Sequence, residues 1–152
     1  MTKVYCRKCF NNAQSRHETA WELLGEALRE LFGLELSQLE VKRSEKGKPY
    51  IEKKGVYFSL SHAKEYAVCA VSDEGEIGVD IEFERKIPEA VQKRLLGGCG
   101  DERAVLEWTK RESWGKLTGE GVFFKGAVPE RAVFETSSPE EGYVLTVCRE
   151  KC

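Results

Sequence analysis

Between residues 18 and 32 (ETAWELLGEALRELF) the apolar positions Ala20, Leu23, Leu24, Ala27, Leu28 and Leu31 recur at three- and four-residue spacing. That period predicts a helix with one buried face, and Gly33 is placed to cap it. Residues 34–55 lose this rhythm. Within them Glu45-Lys46-Gly47-Lys48-Pro49 reads as a basic loop, because proline fixes φ and lacks the donor that a central strand requires. Residues 56–61 and 66–72 then read as strands joined by the turn His62-Ala63-Lys64-Glu65, and 77–83 (IGVDIEF) as another strand. A second helix is predicted over about 102–117, closed by Gly119 and Gly121 and followed by two apolar runs. The segments 56–72 (VYFSLSHAKEYAVCAVS) and 132–148 (AVFETSSPEEGYVLTVC) share the order strand, polar turn, Tyr, apolar strand. This reads as an internal duplication, with common hairpin chemistry as the rival explanation.

Side chains alternate across a strand, so Asp80 and Glu82 of IGVDIEF share one face while Val79, Ile81 and Phe83 take the other. Acidic pairs ordinarily mark a solvated face. The second helix argues otherwise, because Val105, Trp108, Glu112 and Lys116 form one stripe that begins apolar and ends charged. Charges on a buried line are costly unless compensated, and a metal ion or an anionic ligand between strand and helix would compensate them. Glu112 then joins Asp80 and Glu82 as a third carboxylate. Magnesium suits oxygen ligands, and Lys116 one turn along could hold a phosphate oxygen. The bland alternative is a surface Glu112–Lys116 pair worth a few tenths of a kcal/mol.

Composition narrows the partners. With 152 residues and 41% hydrophobic content the chain suits one domain or two small, closely packed halves. Lys and Arg (24) nearly balance Asp and Glu (26), so no global basic field favours nucleic acid and any anion site must be local. No apolar run reaches the roughly 18 residues of a membrane span, and the polar start MTKVYCRKCF lacks a secretory core, so a cytoplasmic protein is expected. The six cysteines read as free thiols, Cys69 as a small buried side chain. A zinc knuckle from Cys6 and Cys9 with Cys148 and Cys152 is the sharper alternative.

Four motifs, GKP (47–49), FSLSH (58–62), GVDIE (78–82) and WTKRESWGK (108–116), stand in an order that resembles the 4'-phosphopantetheinyl transferases, in particular the surfactin-type, two-halved members. The resemblance implies an α+β fold of two similar α/β halves, about 1–74 and 75–152, related by a pseudo-twofold axis with the site between them. It implies transfer of phosphopantetheine from coenzyme A to a serine of an apo acyl, peptidyl or aryl carrier protein, releasing adenosine 3',5'-bisphosphate. Asp80, Glu82 and Glu112 would hold Mg2+; Glu112 is also a candidate base for the serine proton, directly or through water, but a metal-bound carboxylate is a poor base, so the two roles stay open. Lys116 would neutralise the pyrophosphate. Lys48 and His62 would contact the 3'-phosphate, with Ser61 as a neighbouring donor; taken alone they are a loop lysine and a turn residue. A monomer is expected.

Two departures from the family pattern stand out. Arg111 replaces a lysine, offering a planar fork to phosphate rather than a point charge. Residues 95–102 (LLGGCGDE) lack the family's aromatic-rich helix end and, without a following Gly-Lys-Ser/Thr, are no phosphate loop. Gly115, inside the motif helix, costs about 1 kcal/mol relative to Ala, which suggests a close approach of backbone or ligand. The competing functions are another Mg-dependent phosphoryl-transfer or phosphodiester-cleaving enzyme using the same acids, and a non-catalytic module that binds coenzyme A or carrier proteins.

Overall fold

The computed structural model describes residues 1–9 and 13–152 and is a mixed α+β fold. In chain order its elements are β1 (Thr2–Lys8), α1 (Ala13–Phe32), the short strands β2 (Val41–Arg43) and β3 (Pro49–Ile51), β4 (Tyr57–Ala63), β5 (Tyr66–Ser72), β6 (Ile77–Phe83), α2 (Glu89–Leu95), α3 (Asp101–Thr118), β7 (Ala132–Ser137) and β8 (Tyr143–Glu150). Two three-stranded antiparallel sheets have the orders β1-β5-β4 and β6-β8-β7. In each, the first strand leads toward a long helix and pairs with the last strand of a hairpin. Those hairpins, β4–β5 and β7–β8, are the two segments with matching sequence patterns.

Alternation along β5 explains how the layers stack. Ala67, Cys69 and Val71 pack toward Leu24 and Leu28 of α1, whereas Val68 and Ala70 pack toward Ile77, Val79, Ile81, Leu145 and Val147 of the second sheet. The reverse face of that sheet meets Val105, Trp114 and Leu117 of α3 through Val144 and Cys148. The order is therefore α1, sheet, sheet, α3. Burying each of the larger side chains contributes about 1.5–3 kcal/mol, so all three apolar interfaces hold the layers in place.

The predicted strand over 77–83 coincides with β6, and the two long helices form where the apolar period lies. Helix α1 starts at Ala13, earlier than predicted, and ends at Gly33 with φ 62°, whose N–H donates to Arg29 O at 3.2 Å. His62 is a strand residue rather than a turn residue: pairing runs to Ala63 against Tyr66, leaving Lys64 (φ 47°) and Glu65 to reverse the chain. Strand β1 carries no apolar run because its charges serve the helix above it. Lys3 pairs with Glu30 at 2.5 Å, and Arg7 with Glu26 at 2.8 Å.

All six cysteines are free. Among the described residues no three His, Cys, Asp or Glu side chains gather in metal-binding geometry, so no zinc knuckle forms; Cys148 packs instead against Trp114 and Leu117. No helix among them is long and apolar enough to cross a membrane.

Candidate active site

The edge strands β4 and β6 meet where the two sheets abut, and serine hydroxyls of β4 join them. Val79 N–H donates to Ser59 Oγ at 3.0 Å, and Ile81 N–H to Ser61 Oγ at 3.2 Å. On the other face of β6, Gly78 admits α3 to backbone contact: a Cβ there would lie 1.8 Å from Ser113 O and 2.7 Å from Leu117 N. Gly115 serves a second close approach, since its Cβ would lie 2.3 Å from Gly121 O. The close approach suggested for Gly115 is thus to backbone. Gly78 thereby brings the Glu112–Lys116 stripe of α3 to the seam between β4 and β6.

Asp80 is only 3% exposed. Its Oδ1 accepts from Ser61 Oγ at 3.2 Å and faces Lys116 Nζ at 3.5 Å, while the buried Oδ2 has no hydrogen-bond partner. Burial raises the Asp80 pKa from 3.8 to about 8; Glu82 and Glu112 push in the same direction, and Lys116 and Ser61 oppose them. Glu112 is half-buried, and desolvation raises its pKa too, with Lys116 opposing and Glu82 assisting. Lys116 Nζ also donates to Leu60 O at 3.2 Å, bridging α3 to β4. Glu82 lies on the predicted face of β6 but is held by Trp108 Nε1 at 3.1 Å and approached by Arg85 at 3.7 Å. The three carboxylates are near enough to influence one another electrostatically without converging on one point.

Lys48 lies in the loop facing the end of α3, where Nζ donates to Leu117 O at 2.8 Å and Glu76 Oε2 at 2.7 Å. It thereby caps the helix C-terminus while one of its three donors stays available. A cavity of about 240 Å³ opens beside it, lined by Lys46, Lys48, Phe58, Leu60, Lys116 and Gly121. Further along β4, the exposed His62 ring meets His17 of α1 edge-on, with centroids 6.4 Å apart. Although the residue is exposed overall, partial desolvation of the ring by its neighbours, and then the charges of Arg16, Lys116 and His17, lower the His62 pKa, so this cationic corner favours an arriving anion.

Arg111 does not join the cavity. It is 4% exposed, and its guanidinium donates to Val122 O at 2.7 Å, Gly126 O at 2.9 Å and Leu95 O at 3.4 Å, and also to Phe124 O. The planar fork assigned to phosphate instead gathers the carbonyls of the loop after α3 around a buried cation. Ser59, Gly78, His17 and Glu76 had no assigned part. Their contributions depend on which strands and loops become neighbours, which spacing along one chain does not disclose.

No protein-family model matches the chain. It is similar to the 4'-phosphopantetheinyl transferase HetI of Nostoc sp., with 31% identity over 109 residues covering 60% of this chain and 46% of the relative. It is also similar to the 4'-phosphopantetheinyl transferase psf-1 of Bacillus pumilus, with 28% identity over 120 residues covering 67% of this chain and 51% of the relative. The chain spans about half the length of these curated relatives.

Proposed function

We propose that the protein transfers 4'-phosphopantetheine from coenzyme A to a serine hydroxyl of an apo acyl, peptidyl or aryl carrier protein, in a Mg2+-dependent reaction at the seam between β4, β6 and α3. The carrying observation is the buried Asp80 carboxyl with its unpartnered Oδ2, set beside Lys116 and near Glu112. An all-carboxylate donor set and an orphaned carboxyl oxygen suit a hard cation such as magnesium, which takes oxygen ligands and completes its octahedron with water and substrate phosphate. Asp80, Glu82 and Glu112 would hold the ion. Bound there, magnesium supplies neutralisation of pyrophosphate charge. The similarity to named transferases supports the reaction class. The shared strand order of the two sheets supports halves at about 1–74 and 75–152 related by a pseudo-twofold axis.

The residues divide the chemistry between them. The serine oxygen bonds to the phosphorus bearing the pantetheine 4'-oxygen, and the P–O bond to the neighbouring phosphate breaks. Adenosine 3',5'-bisphosphate leaves with the bridging oxygen. Glu112, whose raised pKa brings it closer to neutral pH than an ordinary carboxyl, takes the serine proton. Lys116 balances charge on the departing phosphate. His62, with Ser61 next to it in β4, and the spare donor of Lys48 receive the 3'-phosphate.

The test is the intact mass of an apo carrier incubated with the protein, coenzyme A and magnesium. A gain of one phosphopantetheinyl group on serine, abolished by Glu112→Gln, is expected. Cleavage of coenzyme A without transfer would favour a hydrolytic enzyme, and binding without either product would favour a non-catalytic module.

A further inference from the structure

Ser61 sits on β4, yet both of its contacts are with β6. Its hydroxyl oxygen accepts the Ile81 N–H at 3.2 Å, and its proton points to Asp80 Oδ1 at 3.2 Å. The residue is 5% exposed, so no solvent competes for either bond. Lys116 approaches the same Oδ1 at 3.5 Å. Two donors thus converge on one carboxyl oxygen and leave the other, Oδ2, buried and without a partner. An aspartate free to rotate about its last bond would exchange these oxygens. The Ser61 hydroxyl, itself fixed by a backbone N–H, breaks that equivalence.

We propose that Ser61 is a positioning residue whose hydroxyl locks the Asp80 carboxyl with Oδ2 presented to a divalent cation. This inference rests on the reading of Asp80 as a metal ligand and gives the hydroxyl a role other than phosphate donor. Outer hydrogen bonds of this kind orient ligating carboxylates, and their loss commonly costs 10–100-fold in metal affinity.

Ser59 supplies an internal control. Its hydroxyl accepts the Val79 N–H at 3.0 Å in the same seam, two residues earlier on the same strand, and so contacts the backbone one residue before Asp80. If the serines merely stitch β4 to β6, Ser59→Ala and Ser61→Ala should behave alike. If Ser61 positions Asp80, only Ser61→Ala should weaken the cation site.

The experiment measures Mn2+ and Mg2+ binding to the intact protein without coenzyme A, by calorimetry and by the loss of the free Mn2+ paramagnetic resonance signal. Thermal melts of each variant in EDTA establish folding. The expected result is a rise in the dissociation constant of about tenfold or more for Ser61→Ala and less than about twofold for Ser59→Ala. Equal affinities for the parent and a folded Ser61→Ala would overturn the positioning role while leaving the metal site standing. No binding by the parent would overturn both. Should Ser61→Ala fail to fold, Ser61→Thr, which keeps the hydroxyl, must bind the ions within about threefold of the parent, and a tenfold loss there would also sink the proposal.

Discussion

Replacing Asp80 by Asn tests the electrostatics of the seam directly, because the two side chains have nearly the same shape and differ in charge. The folded pKa of Asp80 is about 8 against an ordinary value of 3.8. Between those values the folded state holds a proton that the unfolded chain releases, so the carboxyl's contribution to stability falls as pH rises through this window. Below pH 3.8 both states are protonated and the cost vanishes. Above pH 8 the cost is complete, with a ceiling of about 6 kcal/mol at about 1.4 kcal/mol per pKa unit. Even a third of that ceiling raises the melting temperature by about 4–8 °C for a chain of this size.

Thermal melts in EDTA at pH 5 and pH 8 should therefore show Asp80→Asn more stable than the parent, with the advantage growing toward pH 8. Magnesium should narrow the gap by stabilising the parent alone. A competing account makes the Lys116–Asp80 pair, at 3.5 Å, the dominant stabilising interaction. Removing one partner of a buried pair typically destabilises by about 3–5 kcal/mol. A variant that melts below the parent at pH 8, or whose advantage does not change with pH, would refute the desolvation argument.

Gly78→Ala should lower the melting temperature by about 2–12 °C, corresponding to overpacking of about 1–3 kcal/mol, since backbone rather than a flexible side chain occupies the Cβ position. Calorimetry that finds parental stability would mean that α3 does not lie against β6 as described. The lowered His62 pKa means that this ring gains its proton at a lower pH than an ordinary imidazole in the ligand-free protein. Coenzyme A affinity measured by titration should thus rise as pH falls toward 6, more than for dephospho-coenzyme A, and His62→Ala should flatten the difference; an unchanged pH profile would remove His62 from the anion site.

The parts of this molecule legible in one dimension are those whose signal is a period. Leu24 and Leu28 disclose α1, and the alternation from Ile77 to Phe83 places Asp80 and Glu82 on one face. Strand β1 escapes because Lys3 and Arg7 bond to α1 at positions where a buried strand would carry apolar side chains. The site was legible as residue types and illegible as bonds. Arg111 has the chemistry of a phosphate ligand, yet the loop from Val122 to Gly126 folds back over α3 and supplies the carbonyls that hold it. Lys48 and Glu76 lie far apart in sequence and pair beside the end of α3, where Lys48 also bonds Leu117 O. Ser59 and Ser61 resemble any polar positions on a strand until β6 is laid alongside, when one becomes a stitch and the other a constraint on Asp80. Charge type therefore locates the chemistry, whereas its orientation is set by hydroxyls and glycines, whose roles exist only between elements.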